Sequence, residues 1–220
     1  MLLIRSIIPF YNFFFFQVFY KHLDLASFVS IKKFSNEILA EYSRIDILIN
    51  NAAVMAVPPP ALTEDGIEVT FGVNHLGHFY LTKLLMETLV ESKARVINVS
   101  SEAYKFCKLD EFTVDIFEGD KPKIAQPDDR EGMMKDVAKY SDSKLCNIYF
   151  TKELVVRHPE LISVSLHPGT ILTNIQRHWK DHIPGRMFLF CFSWMMKSPE
   201  DGSQTTIHCC KADLSEVNII

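Results

Sequence analysis

A tyrosine and a lysine four residues apart, Tyr140 and Lys144, have a spacing that suggests chemistry. On a helix, residues at this separation share a face, so the lysine ammonium would lie close to the phenol. A neighbouring cation favours phenolate and would lower the tyrosine pKa toward the range of a general acid or base. Tyr104 and Lys108 have the same spacing, but they follow a strand pattern without helical periodicity. We therefore expect the working pair to be Tyr140 and Lys144.

Ser101 and Asn74 are polar residues that lie next to or within apolar patterns in the sequence. Ser101 directly follows the apolar run RVINVS at 95–100, which predicts a hydroxyl at the end of a strand. A lone serine of this kind is a turn residue or a nucleophile, and no Gly-x-Ser-x-Gly pattern supports the nucleophile. Asn74 lies in an apolar helical pattern, and a buried Asn either fastens backbone groups or holds an ordered water.

His75 and His78 stand three residues apart, a spacing that a metal site can use. No third ligand is evident nearby in the sequence, and histidines in a core or in solvent are far commoner than metal ligands. The sequence therefore predicts no metal site.

Strand and helix patterns alternate along the part of the chain that carries these residues. Strand patterns lie at 17–23, 45–50, 95–100 and 161–166, and helical patterns lie at 28–42, 63–90 and 140–157. This alternation predicts an α/β fold, a doubly wound parallel sheet with helices on both faces. We expect one domain over residues 17–220 after a divergent hydrophobic segment at 1–16, with 107–137 as a long excursion.

Small or polar residues follow each predicted strand. They are Asp24, the stretch 50–53, Ser100 with Ser101, and the stretch 168–173. Ligands bind beyond the carboxyl ends of the strands in such sheets, so these positions are expected to line one binding edge.

Composition and charge exclude some classes of protein and some kinds of partner. The chain has 220 residues, 48% hydrophobic and 23% charged, with a net charge of −4 and a pI near 6.1, and this excludes a disordered chain. Because the charges are mixed and form no basic stripe, no nucleic acid partner is predicted. Five cysteines without a Cys-x-x-Cys spacing suit a reducing, intracellular compartment.

The first twenty residues form an apolar stretch that contains Arg5 as its one charged residue before Lys21. Residues 2–20 approach the length of a membrane anchor, but Pro9, Asn12 and Gln17 divide them. A signal peptide is a second interpretation, although no small-x-small cleavage site precedes Lys21. The third interpretation makes 17–23 a strand of the domain, which leaves too little sequence for an anchor.

Five motifs together resemble the short-chain dehydrogenase/reductase family, and its retinol dehydrogenase-like branch in particular. They are DILINNAA at 46–53, VNHLGHF at 73–79, INVSS at 97–101, YSDSK at 140–144 and HPGTILT at 167–173. The resemblance implies a Rossmann-like fold and hydride transfer between a nicotinamide cofactor, NAD or NADP, and a hydrophobic alcohol or carbonyl. It favours NADP over NAD.

The resemblance also implies four catalytic residues, each matched by its position in a motif. Tyr140 would be the general acid/base, and Lys144 would bind the nicotinamide ribose and lower the tyrosine pKa. Ser101 would hydrogen-bond the substrate oxygen as charge develops on it. Asn74 would hold the water that links Lys144 to solvent.

The implied cofactor contacts lie at the same predicted edge. Asp24 and Leu25 would contact the adenine, and Asn50, Asn51 and Ala52 would form the turn under the cofactor, where Ala53 replaces the family's glycine. Tyr140 and Lys144 belong to the same set. The nicotinamide carboxamide would be held by Pro168, Gly169, Ile171 and Thr173.

The front of the chain departs from the family pattern. The family begins with a strand, a Thr-Gly-x-x-x-Gly-x-Gly turn and a helix, whereas this sequence has no glycine before Gly66. We expect the first βαβ unit to be missing and 17–23 to be the third strand of the order 3-2-1-4-5-6. The alternative function is that of a truncated, catalytically inactive form that binds a partner.

A long apolar segment bears on partners and location. Residues 187–196 are unusually apolar within 174–197, which occupies the family's substrate-lid position. The segment suggests a hydrophobic pocket wall with membrane-surface contact, or a face buried in a homodimer. We expect an intracellular protein, associated with the endoplasmic reticulum or mitochondrial membrane or otherwise cytoplasmic.

Overall fold

Three parallel strands form the centre of the structure, a computed structural model. They are β3 (Ile47–Asn50), β4 (Arg95–Val99) and β7 (Ile162–Leu166), in the order β3-β4-β7. The structure describes residues 2–10, 13–58, 61–107, 117–118, 121–122, 133–171 and 196–212, with the backbone alone for 2–10, 13–17, 117–118, 121–122 and 133–135. A two-residue pair, β5 (Phe117–Glu118) with β6 (Lys121–Pro122), lies in the predicted excursion.

Helices cover both faces of the sheet because its apolar residues alternate in direction. Leu48 and Val96 pack in one core with helices α1 (Phe28–Glu41), α3 (Gly77–Glu91) and α4 (Met133–Arg157). Ile97 and Val164 pack in a second core with Cys209 of helix α5 (Pro199–Lys211). The predicted doubly wound α/β class is confirmed.

The helix predicted over 63–90 is divided in the structure. Helix α2 (Val69–Phe71) begins after Glu68, whose side chain accepts a hydrogen bond from the Phe71 N–H at 2.9 Å. A π-turn over Gly72–Leu76 follows, and the Gly77 N–H at its end donates to the Gly72 carbonyl. Predicting Thr63 as the cap was wrong, because its hydroxyl instead accepts from Ile67 N–H at 3.1 Å in the preceding turn.

Helix α4 begins earlier than its predicted start at Tyr140. It runs from Met133 to Arg157, so Tyr140 lies two turns inside it rather than at its first residue. Residues 133–139 contain no glycine or proline, and nothing in them opposes helix formation.

The strand predicted at 17–23 does not join the parallel sheet, and this part of the prediction was wrong. Strand β1 (Leu2–Phe10) pairs antiparallel with β2 (Phe13–Lys21) in a separate two-stranded sheet. The strands that would separate 17–23 from 45–50 in the family order are not formed by the described residues. The backbone N–H and C=O groups on one edge of β2 are therefore hydrogen-bonded to β1, the strand that precedes it in sequence.

Gly77 allows helix α3 to approach the segment that carries Asp24 and Leu25. A Cβ at Gly77 would lie 2.6 Å from the backbone carbonyl oxygen of Leu25, which has no freedom to rotate away. This contact places the predicted adenine-binding segment against the start of α3.

We expect Gly77→Ala to lower the free energy of unfolding by about 1–3 kcal/mol, because the added methyl overpacks against backbone. Urea denaturation followed by circular dichroism measures the change. Glu87→Ala, an exposed position on the same helix, should change stability by less than about 0.5 kcal/mol. Equal losses in the two variants would contradict the close approach of the helix to Leu25.

Candidate active site

The carboxyl ends of the three parallel strands bring the predicted catalytic residues together. Ser101 follows β4, and the helix that carries Tyr140 and Lys144 packs on β4, β7 and the short 3-10 helix Glu102–Phe106. The π-turn with Asn74 also contacts helix α4. The structure thus assembles all four predicted residues at one edge, from three separate stretches of sequence.

Tyr140 and Ser101 face each other through their side chains. The Ser101 hydroxyl lies beside the Tyr140 phenol, and its interaction with the phenol lowers the phenol pKa. Burial has the larger effect and raises the Tyr140 pKa above its ordinary value of 10.0. The expectation of a lowered Tyr140 pKa is therefore corrected, because desolvation of the phenolate outweighs the stabilising contacts.

Lys144 is a buried ammonium, with 2% of its surface exposed. Its Nζ donates to the Val99 carbonyl at 2.9 Å and lies 5.5 Å from the centroid of the Tyr140 ring. Burial lowers the Lys144 pKa from 10.5 to about 8, because the charged form loses hydration. The lysine still carries most of its charge at neutral pH and lies beside the phenol, as its spacing predicts.

Asn74 is completely buried, and its side chain fastens backbone. Its Oδ1 accepts from Val54 N–H at 2.8 Å, and its Nδ2 donates to the Val54 carbonyl at 2.9 Å and to Ser143 Oγ at 3.1 Å. The amide therefore ties the loop after β3 to helix α4. Of the two alternatives from the sequence, fastening backbone groups is confirmed, and the water relay to Lys144 stays a prediction.

The predicted adenine-side residues lie between β2 and α1. Asp24 is exposed, and its Oδ1 accepts from Ala26 N–H at 2.9 Å in a turn. Leu25 is buried, and its backbone carbonyl is the atom nearest to where a Gly77 side chain would begin. An acceptor oxygen of Asp24 remains at the surface, where a polar ligand group can reach it.

The turn after β3 rests on a buried amide ladder. Asn50 Nδ2 donates to Asn98 Oδ1 at 2.8 Å and to Thr82 Oγ1 at 3.1 Å, which matches the Asn50–Asn98 register of the two strands. Asn50 therefore holds the turn from below, whereas Asn51 is exposed and Ala52 half-buried at its surface. Of this predicted trio, Asn51 and Ala52 are the residues a cofactor can reach.

The segment after β7 lies at the same edge. Pro168, Gly169 and Ile171 are half-buried, and Ile171 forms a single parallel bridge with Lys197. Gly169 has φ +95°, a left-handed conformation that favours glycine, so the chain turns sharply here. Thr173 and all of the apolar stretch 187–196 except Met196 lie outside the described residues.

The two histidines of the π-turn region make hydrogen bonds within the fold. His75 Nδ1 contacts Asn147 Oδ1 at 3.0 Å, and His78 Nδ1 contacts the Asn74 carbonyl at 3.1 Å. Burial lowers both pKa values, that of His78 to about 4. Within the described ranges, no group of three His, Cys, Asp or Glu side chains is arranged to hold a metal.

Sequence reasoning missed two residues that support the site. Ser143 bridges Asn74 and the Tyr140 carbonyl, which its hydroxyl contacts at 2.7 Å. Asn147 contacts the Asn74 carbonyl at 3.1 Å. A signal was present for Asn147, because an amide three residues after Lys144 shares its helix face and must find partners when buried.

The doubly wound sheet, with a serine, a tyrosine and a lysine at its carboxyl edge, has the arrangement of a Rossmann-type domain. The family model described as short chain dehydrogenase matches residues 14–108. Mouse retinol dehydrogenase 14 is 41% identical over 210 residues, which is 92% of this chain and 58% of that protein. Human retinol dehydrogenase 11 is 38% identical over 91% of this chain and 58% of its own length. The chain belongs to the short-chain dehydrogenase family and is retinol dehydrogenase-like.

Solved structures agree on the fold. The aldohexose dehydrogenase of Thermoplasma acidophilum matches with a TM-score of 0.62 at 18% identity, over 88% of this chain and 71% of that one. The KRED1-Pglu enzyme matches with a TM-score of 0.61 at 19% identity, over 89% of this chain and 75% of that one. The chain spans less than three fifths of the length of the retinol dehydrogenases above.

The buried neutral His78 makes stability depend on pH. Its pKa is about 4 in the folded protein and 6.5 in the unfolded chain, so the unfolded state binds the proton first as the pH falls. We expect the free energy of unfolding to fall between pH 6.5 and 4, with His78 contributing up to about 1.4 kcal/mol per pH unit.

Chemical denaturation of the wild type and of His78→Gln across this pH range isolates the contribution of His78 to the pH dependence of the free energy of unfolding. The variant should show a shallower slope, although its absolute stability is lower. His208→Gln, at an exposed position on α5, serves as the control and should keep the wild-type slope. A wild-type slope in His78→Gln would contradict the burial of a neutral ring.

Proposed function

We propose that this chain carries the catalytic site of an NAD(P)-dependent oxidoreductase that acts on a hydrophobic alcohol or carbonyl compound. The observation that supports it most directly is the placement of the Tyr140 phenol beside both the Ser101 hydroxyl and the buried Lys144 ammonium. A hydroxyl pair next to a fixed cation can transfer a proton to or from an oxygen whose charge changes in the reaction.

Tyr140 transfers the proton in this proposal. Its raised pKa keeps the phenol protonated at neutral pH, which suits it to donate a proton to a carbonyl oxygen during reduction. Ser101 then holds the same oxygen by a hydrogen bond, and Lys144 stabilises the phenolate that remains after transfer. In the reverse direction the phenolate removes the proton of the alcohol.

The residues at the nicotinamide end of the site fit a dinucleotide. Lys144 Nζ has three N–H donors, and the protein hydrogen bond found among the described residues uses one of them, with Val99. The others are free to bind ribose hydroxyls, and Asn51, Ala52 and Pro168 lie on the same edge. A bound nicotinamide supplies or accepts the hydride. NADP is the proposed cofactor in preference to NAD, on the family resemblance alone.

The proposed substrate class rests on the relatives. The named relatives are retinol dehydrogenases, so a long apolar alcohol or aldehyde such as retinal is the probe we would use first. Turnover of the full 220-residue chain with NADPH or NADH, read from the cofactor absorbance, tests the proposal. Absence of turnover with every apolar aldehyde and both cofactors would contradict it.

We expect Tyr140→Phe to lower kcat by about 10²- to 10⁴-fold, because the phenol proton is removed while the ring shape is kept. Cofactor affinity, measured by NADPH fluorescence, should change little. Tyr104→Phe, in the 3-10 helix after β4, is the matched control and should be nearly neutral. The reverse result would assign the reaction to Tyr104.

We also propose that two copies of the chain pair through helices α3 and α4. These helices border an apolar groove of about 540 Å³, beside which Phe79 is 39% and Tyr149 47% exposed. The rim carries both signs of charge, Lys83 and Arg157 with Glu153. A rim of mixed sign complements a second copy of itself better than an anionic membrane.

Light scattering of the full chain should give the mass of a dimer, and Tyr149→Glu should shift it to the monomer, because two new carboxylates would face the apolar groove. Val29→Glu replaces an exposed apolar residue of α1 and is the control that should stay dimeric. A monomeric wild type, or a Tyr149→Glu variant that remains dimeric, contradicts this pairing.

Membrane contact and cellular location are also proposals. The apolar stretches 2–20 and 187–196 suggest contact with a membrane surface, of the endoplasmic reticulum or a mitochondrion, and the alternative is the cytoplasm. Among the described residues, no helix has the length and apolar character needed to cross a bilayer.

A further inference from the structure

Asn147 lies one turn after Lys144 on helix α4 and is buried, with 3% of its surface exposed. Its Nδ2 donates to the Asn74 carbonyl at 3.1 Å and to the Val99 carbonyl at 3.4 Å. Its Oδ1 contacts His75 Nδ1 at 3.0 Å. A buried amide is costly unless paired, and here both of its ends have partners from other elements.

The hydrogen bonds fix which way the amide points. Carbonyl oxygens only accept, so the nitrogen of the amide must face Asn74 and Val99 and its oxygen must face His75. His75 therefore carries its proton on Nδ1. The imidazole is packed against Phe71, Phe79 and Phe150, with ring centroids 5.4, 6.3 and 6.1 Å away. A closely packed ring thus holds Asn147 in one orientation.

The Val99 carbonyl links Asn147 to the reactive end of the site. The same oxygen accepts the hydrogen bond from Lys144 Nζ at 2.9 Å. Val99 ends strand β4, two residues before Ser101. The second acceptor of Asn147 is the carbonyl of Asn74 in the π-turn. One amide therefore joins the strand end, the π-turn and the helix that together hold the site.

We propose that Asn147, oriented by His75, is a positioning residue that holds the Val99 carbonyl in place as the acceptor for Lys144. The inference rests on the proposed oxidoreductase function and deepens it. Asn147 acts through Lys144 and Asn74, and not on the substrate.

The test compares Asn147→Ala, His75→Phe and the double variant in the full chain. Asn147→Ala should lower kcat about tenfold with little change in the cofactor KM, since hydrogen bonds that place Lys144 are lost. His75→Phe should cause a smaller loss, because its phenyl ring fits among the aromatic neighbours but cannot orient the amide. The double variant should resemble Asn147→Ala, because His75 acts only through Asn147.

Thr151→Val is the matched control for the loss of a buried polar group. Thr151 lies one turn further along α4, where its hydroxyl accepts from Asn98 Nδ2 and donates to the Asn147 carbonyl, both at 2.9 Å. It should lower the melting temperature, but it leaves the bonds of the Asn147 side chain to Val99 and Asn74 in place.

A second measurement does not depend on turnover. The ¹⁵N resonance of Lys144 Nζ, assigned by its loss in Lys144→Arg, reports the titration of this amine. In Asn147→Ala the Lys144 pKa should rise from about 8 toward 10.5, because water enters and Val99 accepts from the lysine alone. The nearby titratable groups are Tyr140 on the same helix and His75 and His78 on the facing one, all with pKa values shifted away from this range.

The experimental outcomes distinguish a failure of this inference from a failure of the proposed oxidoreductase function. If wild type turns over and Asn147→Ala matches Thr151→Val in kcat and in Lys144 titration, the inference is overturned. Additive losses in the double variant overturn the orienting role of His75. A wild type without turnover contradicts the proposed function. The Lys144 titration then decides on this inference: a raised Lys144 pKa in Asn147→Ala supports it, and an unchanged Lys144 pKa overturns it. If Asn147→Ala does not fold, His75→Phe is judged by the same two measurements.

Discussion

The pairing of buried amides with backbone at the ends of parallel strands is the constraint on which the site depends. Asn74 binds both backbone groups of Val54 and the hydroxyl of Ser143, so it joins the loop after β3 to helix α4. Because each of these groups is costly to bury alone, the arrangement is favoured as a unit. The site is held by amides that do not react.

The π-turn makes this pairing geometrically available. The carbonyl of Asn74, a residue of this turn, accepts hydrogen bonds from the side chains of His78 and Asn147. Interruptions of this kind recur at functional sites because they free a backbone group for contacts outside the helix. Gly77 follows at once, and its lack of a side chain lets the helix meet the Leu25 backbone.

Burial shifts the pKa values of the reactive groups. The spacing of Tyr140 and Lys144 alone predicts a lowered tyrosine pKa, and burial raises it instead. Burial lowers the pKa of the Lys144 ammonium and raises that of the Tyr140 phenol, so both neutral forms are favoured by the dry surroundings. The nearby Ser101 hydroxyl lowers the Tyr140 pKa and so counteracts part of this shift. The fold thus moves the two pKa values apart, with Lys144 at about 8 and Tyr140 above 10.0, so the phenol keeps its proton at a pH where the amine begins to lose its own.

The sequence by itself determined the elements whose signals are local. The period of α1, the apolar runs of β3, β4 and β7, and the motif residues Asn74, Ser101, Tyr140 and Lys144 were all readable from neighbouring residues. The pairing of β2 with β1, the start of α4, the direction of the Tyr140 pKa and the contacts of Asn147 were decided only by the tertiary structure. Strand partners, burial and amide orientation depend on residues distant in sequence, and no local pattern encodes which of them will meet.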